Sequence, residues 1–216
     1  MSRQLRLGLT QRVSIDQNTG ERRDGLDQRW AGLLGAYDYL VIPLANLLVD
    51  PISSVKDLRL DGIVLTGGND LAFVPNATDP APERDALESV LLEYAAERKL
   101  PVLGVCRGMQ MMAKYYGAQV VAVQNHVVPK HSIAAQPGSV IPFGQAEYVN
   151  SYHNLGLFRD GLVGDLVACA LASDGTVEAI THRQLPHWGI MWHMERGTPS
   201  PRDREILTRL FRSTGR

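Results

Sequence analysis

The chain has 216 residues, of which 44% are hydrophobic and 21% charged, with a formal net charge of −1. This is ordinary globular composition, enough for one domain over residues 1–216 with a sizeable core, and it leaves no basic footprint for nucleic acid. The first residues lack the apolar run of a signal peptide, and no stretch approaches the roughly 18 apolar residues of a membrane span. The two cysteines, Cys106 and Cys169, stand too far apart in sequence to suggest a disulfide framework. A cytoplasmic protein with no membrane and no nucleic-acid partner is therefore expected.

Leu5 to Leu9 alternates around Arg6 and Gly8 and predicts a first strand. Thr10-Gln11-Arg12 lies at its end, where open α/β sheets collect ligand contacts. A polar loop, Asp16 to Gly20, leads into the charged stretch Glu21 to Trp30. Trp30, Leu33, Leu34 and Tyr37 fall at helical spacing and predict a helix with one apolar face. The arginines of this stretch are either a solvated face or a cationic rim that receives a phosphate group. Tyr39 to Leu44 predicts a second strand, and Asn46 to Leu60 carries a helix-like segment. Asp61 to Asp70 reads as a strand ending in the pair Gly67-Gly68, whose backbone can approach a ligand closely.

A helix opens at Pro80 to Glu83 and runs to about Lys99, with Leu87, Val90, Leu91 and Tyr94 inside. Asp85, Glu88, Glu93 and Glu97 are expected on its outer face, as solvation. A short buried strand from Pro101 to Val105 follows, then a helix from Arg107 to about Tyr116 closed by Gly117. From Gln119 to Val149 the apolar periods shorten to strand length, which predicts an antiparallel region added to the sheet. Leu166 to Ala172 and Val177 to Thr181 flank Asp174-Gly175, a hairpin signal. Trp188 to Glu195 predicts a last strand with a charged end, and Pro201 to Arg212 an amphipathic helix. The alternation over residues 5–123 argues a mostly parallel sheet with helices on both faces.

Cys106 stands between Gly104 and Gly108, the G-x-S-x-G nucleophile-elbow pattern with cysteine for serine. Such a turn lifts the sulfur out of the sheet and onto the first turn of a helix, where free N–H groups favour the thiolate. A cysteine nucleophile needs a base, and the base needs an orienting group. Of the six histidines, His193 has Glu195 two residues on, and residues i and i+2 of an extended segment point the same way. His126 and His131 read as pocket lining or structure rather than metal ligands, and His182 and His187 as loop histidines. Cys169 and Met109, Met111 and Met112 read as core.

Leu65-Thr66-Gly67-Gly68, Gly104-Val105-Cys106-Arg107-Gly108-Met109-Gln110 and Met191-Trp192-His193-Met194-Glu195 occur in that order. Together they resemble the class I glutamine amidotransferase family, with its glycine-pair oxyanion loop, cysteine elbow and W-H-P-E strand end. Met194 stands where proline is usual. Val149 to Gly156 and Asp174 to Ile180 are similar to segments of the γ-glutamyl amide hydrolases, the peptidase C26 type, which lack a synthase domain. More narrowly, Thr10-Gln11-Arg12, Glu21-Arg22-Arg23 and Leu26 to Trp30 resemble a capsule-pathway subgroup whose substrate carries a pyrophosphate.

The resemblance implies an α/β, flavodoxin-like three-layer sandwich, its mostly parallel central sheet carrying a small antiparallel extension. It implies hydrolysis of a γ-glutamyl amide through a thioester on Cys106, with His193 and Glu195 completing the catalytic set. Gly68 and Arg107 would supply the oxyanion N–H groups. Gln110, Ser151, Tyr152 and His153 would hold the glutamyl part, and Arg12, Arg22, Arg23 and Arg29 a phosphate-bearing leaving group. No metal and no organic cofactor is called for, and the partner is a small γ-glutamyl substrate, nucleotide-linked in the narrower subgroup. A homodimer is compatible with this reading. The rival is a glutaminase subunit that passes ammonia to a partner synthase. A non-catalytic binding protein on the same sheet is disfavoured, because such proteins lack the downstream histidine–glutamate pair.

Overall fold

The computed structural model describes residues 3–144, 147–198 and 200–212. In chain order the elements are β1 (Leu5–Thr10), β2 (Arg12–Ile15), β3 (Arg22–Gly25), α1 (Gln28–Gly35), β4 (Tyr39–Leu44), α2 (Pro51–Leu58) and β5 (Gly62–Leu65). Then come α3 (Pro82–Arg98), β6 (Val102–Val105), α4 (Arg107–Tyr115), β7 (Val121–Ala122), β8 (Val127–Ala135), β9 (Glu147–Tyr152) and β10 (Leu155–Gly156). The chain closes with β11 (Leu166–Ala172), β12 (Val177–His182), β13 (His187–Ile190) and α5 (Pro201–Arg212). Among the described residues no helix is long and apolar enough to cross a membrane.

One sheet has nine strands in the order β4-β1-β5-β6-β13-β12-β11-β8-β9. The first five are mutually parallel, and β12, β11, β8 and β9 continue antiparallel. The antiparallel extension thus holds four strands. Two apolar cores flank the sheet. On one face Trp30, Leu33 and Leu34 of α1 and Ile206, Leu207, Leu210 and Phe211 of α5 pack on Leu7, Leu9, Val64 and Leu103. On the other, Leu87, Leu91 and Leu92 of α3 and Met109, Met111 and Met112 of α4 pack on Ile63, Leu65 and Val102. Buried strands apolar on both sides are what a parallel sheet covered by helices requires. The strand order reverses at β1, with β4 on one side and β5 on the other, so the crevice beyond the carboxyl ends of β1, β5 and β6 is the expected ligand position.

Three local expectations are corrected. Arg22–Gly25 is not helical; it pairs antiparallel with Arg12–Ile15 as a hairpin, and the helix begins only at Gln28. The hairpin turn is chemical: the Asp16 carboxylate accepts the N–H groups of Asn18 and Thr19, and Gly20 takes φ +70. His187 is a fully buried residue of β13 and His182 ends β12, so neither is a loop histidine. Tyr116 OH lies 2.6 Å from His187 Nδ1, and burial lowers that imidazole to about 4. The last strand ends at Ile190, so His193 and Glu195 sit beyond it in a turn rather than on an extended segment.

The third helix carries the largest correction. Glu88 is fully buried, not solvated, and Asp85 is half-buried. Glu88 accepts from Thr10 Oγ1 at 2.7 Å, Arg84 Nε at 2.9 Å and Arg107 Nη1 at 2.5 Å. Arg107 also pairs with Asp85. Burial alone would raise the Glu88 carboxyl, but Arg107 and Arg84 more than offset it and hold it below its ordinary range.

Candidate active site

Cys106 connects β6 to α4 with φ 52 and ψ −108, a conformation that costs a non-glycine residue energy. Packing over-determines it. Cys106 N donates to Ile190 O at 2.8 Å, and Gln110 N donates back to Cys106 O at 3.1 Å. A Cβ on Gly104 would lie 2.6 Å from Gly108 O, and one on Gly108 would lie 1.9 Å from Leu65 O. Both glycines are therefore required by the closeness of α4 to β5 and β6.

His193 and Cys106 line the same cavity, and His193 Nδ1 lies 2.7 Å from Glu195 Oε1. The three side chains are buried. Burial would depress the imidazole, but Cys106 and Glu195 outweigh it and raise His193 to about 9. The turn that brings Glu195 back to His193 is set by Asn150 on β9. Its Oδ1 accepts from His193 N at 2.8 Å, and its Nδ2 donates to His193 O at 2.9 Å and Arg196 O at 3.2 Å. Trp192, just before, is buried and donates to Asp203 of α5 at 3.0 Å.

The glycine loop after β5 passes against the imidazole: a Cβ on Gly67 would meet His193 Cε1 at 2.6 Å. Arg84, also fully buried, donates to the carbonyls of Thr66, Gly67 and Gly68 at 2.6, 3.1 and 2.8 Å. Three successive carbonyls are thus turned toward α3. Burial, with Arg107 nearby, lowers the Arg84 guanidinium to about 10.

Two cavities meet at this cluster. One, of about 190 Å³, is lined by Cys106, Arg107, Gln110, Tyr152, His153 and Leu155 among others. Gln110 is fixed there by donating to Leu155 O at 3.0 Å. Ser151 is not on its wall; its buried hydroxyl donates to His126 O at 2.5 Å. The other cavity, of about 300 Å³, lies between the β2–β3 hairpin and the His193–Glu195 pair, with Arg12, Ser14, Asp27 and Trp30 on its wall. The hairpin is clipped to the site: Asn69 accepts from Val13 N and donates to Val13 O, both at 2.8 Å, and Asn46 donates to Asp24.

Arg196 lines both cavities. It lies over the Tyr152 ring at 5.0 Å, and its Nε meets Glu195 Oε1 at 3.6 Å without a hydrogen bond among the described residues. Sequence reading missed it, although a cation directly after His193-x-Glu195 is a signal. Of the arginines singled out from sequence, Arg12 is on the cavity wall. Arg22 pairs with Glu83, Arg23 with Glu21 and Asp16, and Arg29 with Asp27, and none of these three lines either cavity. Arg29 still lies close enough to feel the charge of Glu195.

The profile of the peptidase C26 family matches residues 40–195, which includes the elbow and the His193–Glu195 turn. The chain belongs to this family. As a peptidase C26 member, of class I glutamine amidotransferase type, it is 34% identical over 195 residues to the γ-glutamyl-CDP-amidate hydrolase of Campylobacter jejuni, covering 88% of this chain and 90% of that one. It is 31% identical over 151 residues to a glutamine-hydrolysing GMP synthase subunit of Thermoplasma volcanium, covering 69% and 70%. A glutamine amidotransferase structure from Thermotoga maritima superposes with TM-score 0.66 at 18% identity, covering 97% of this chain and 83% of that one, which shows the shared fold. Family membership with a hydrolase relative supports an amide hydrolase.

Proposed function

We propose that the protein hydrolyses a γ-glutamyl amide with Cys106 as nucleophile, His193 as acid and base, and Glu195 as the group that orients His193. The observation that carries this is that Cys106, just after β6, and His193, in the turn beyond β13 and hydrogen-bonded to Glu195, share the wall of one cavity. The raised imidazole keeps His193 protonated at neutral pH, ready to hand its proton to a leaving nitrogen. The thiolate adds to the γ-carbonyl carbon. The tetrahedral oxyanion is received by the N–H groups of Gly68 and Arg107, donors of a kind worth roughly 10²–10³ in rate. The C–N bond breaks as His193 delivers its proton to the leaving nitrogen. Water, deprotonated by His193, then attacks the thioester, the C–S bond breaks, and glutamate and the thiolate are released.

The cavity of about 190 Å³ takes the glutamyl part, with Gln110, Tyr152 and His153 on its wall; Ser151 acts through the backbone it fixes. The cavity of about 300 Å³ takes the leaving group, with Arg12 and Arg196 as the cations that face a phosphate. The Campylobacter jejuni relative, matched over nearly its whole length, supports a nucleotide-linked γ-glutamyl phosphoramidate as substrate, and with it a place in capsule phosphoramidate biosynthesis. The two free cysteines fit the cytoplasm. A second reading, a glutaminase that feeds a synthase, is favoured by similarity to anthranilate synthase component 2 and to the GMP synthase chain of Thermoplasma volcanium.

Glutamate release measured across γ-glutamyl amines, glutamine and γ-glutamyl phosphoramidates decides between the two. Turnover of phosphoramidates by the isolated chain is expected, with a loss of at least about 10⁴-fold in Cys106→Ala. Full activity in that variant would overturn both readings. Glutamine turnover that rises sharply only when a synthase is added would favour the second.

A further inference from the structure

Outside the nucleophile site, three histidines converge on one buried carboxylate. Glu178 on β12 is fully buried, and its Oε1 lies 3.4 Å from His126 Nδ1 and 3.5 Å from His153 Nε2. Its Oε2 lies 3.3 Å from His131 Nε2. None of these five atoms has a hydrogen-bond partner among the described residues. A β-bulge between Val128 and His131 rotates β8 so that His131, rather than Lys130, stands opposite Val149.

The outer nitrogens settle what the inner ones offer. His153 Nδ1 lies 2.9 Å from Leu155 O, and a carbonyl only accepts, so Nδ1 carries the proton. His126 Nε2 lies 2.9 Å from the Asp174 carboxylate, which places its proton on Nε2. In the neutral rings, His153 Nε2 and His126 Nδ1 then aim lone pairs at an anion. Such an arrangement is repulsive unless a proton or a metal cation lies between. An imidazole held by a carboxylate or carbonyl on its far nitrogen is the usual outer shell of a metal ligand. The spacing agrees. Bonds of about 2.0–2.2 Å in tetrahedral geometry set neighbouring ligand atoms roughly 3.3–3.6 Å apart. The ligand atoms of His126, His131 and Glu178 all lie within 4.8 Å of one another.

We propose that His126, His131 and Glu178 form a binding site for one divalent transition-metal ion of the zinc type. Two imidazoles and one carboxylate are a hard-to-borderline donor set suited to zinc rather than to calcium or magnesium. The ion ties β8 to β12. His153, whose Nε2 lies 3.5 Å from Glu178 Oε1, lines the smaller cavity, so a metal on Glu178 steadies the wall that faces the glutamyl part without touching the sulfur.

The test uses the full chain carrying Cys106→Ala, so that the elbow thiol cannot take the metal and hydrolysis plays no part. The protein is stripped with a chelator, titrated with Zn²⁺ against a chromophoric competitor, and its bound zinc is counted after desalting. One zinc per chain is expected, together with a thermal midpoint that rises with free Zn²⁺. Adding Glu178→Gln, which keeps the volume, should abolish stoichiometric uptake. Adding Asp174→Asn, at a half-exposed position that does not threaten the core, should weaken binding about 10–100-fold by loosening His126. With Co²⁺ the visible d–d bands of an N/O site should appear. Uptake well below one zinc per chain would overturn the proposal and leave protons as what the cluster holds. Undiminished uptake in Glu178→Gln would overturn it too, placing the metal elsewhere.

Discussion

Replacing Glu88 by glutamine separates a solvated helix face from a buried ionic hub. Glutamine has the same shape and can still accept from Thr10. It carries no charge, and its amide must set an N–H group against the guanidinium of Arg84 or Arg107. Both arginines are buried, at 0% and 2% relative exposure, so the loss is not screened by water. Removing one partner of a buried pair costs about 3–5 kcal/mol, because a buried charge is left uncompensated. Asp85 retains one contact to Arg107, which places the expected cost toward the lower end. With a urea slope of about 2–3 kcal/mol per molar, the unfolding midpoint should fall by roughly 1–2 M. In a chain of this size the thermal midpoint should fall by about 6–15 °C. The comparison variant is Glu93→Gln on the exposed side of α3, expected within about 0.5 kcal/mol of the parent. A Glu88→Gln loss below about 1 kcal/mol would refute the reasoning, because exposed ion pairs contribute that little.

The His193 imidazolium is raised to about 9, so it is present at neutral pH and lost as pH rises through that value; kcat/KM should show an alkaline limb near 9. In Glu195→Gln that limb should move toward the ordinary histidine range near 6.5, with kcat down about 10²–10⁴-fold; an unmoved limb would deny Glu195 its part. Gly108→Ala places a methyl group on Leu65 O and should leave little soluble protein, whereas a folded, active variant would mean that α4 can retreat from β5. Arg12→Ala and Arg196→Ala should each raise KM for a γ-glutamyl phosphoramidate by roughly 10–100-fold and spare simple γ-glutamyl amines. Arg23→Ala, whose charge rests on Glu21 and Asp16, is the matched comparison, and equal losses on both substrate types would reduce the cavity arginines to structural parts.

The elbow, the glycine pair and the His193–Glu195 pair were legible in the sequence because each depends on a short spacing. So were the strand–helix alternation and the Asp174-Gly175 hairpin, which follow from local periodicity. Glu88 was not legible. A helix shows which residues share a face, but Glu88 points between helix and sheet, toward arginines four positions away on the same helix and nineteen along the chain. The β2–β3 hairpin was hidden because half of its strand residues are charged and only Val13 is buried; side-chain clips from Asn69, Asn46 and Asp16 hold it in place of apolar burial. Spacing cannot report such clips. The glutamate–histidine cluster was half visible: His126 and His131 stood close in sequence, but Glu178 arrives from a hairpin almost fifty residues on.

The hairpin also divides labour along the chain. Cys106 follows β6 directly and the His193–Glu195 turn follows β13, both held against the sheet with little room for variation. The wall across from them is a short ribbon with an exposed tip at residues 16–20, attached through a few side-chain amides and one carboxylate. Residues on that ribbon can change without moving Cys106 or His193. A different ribbon grafted between Thr10 and Gln28, keeping the partners of Asn69 and Asn46, would therefore redirect the same chemistry to a different amine.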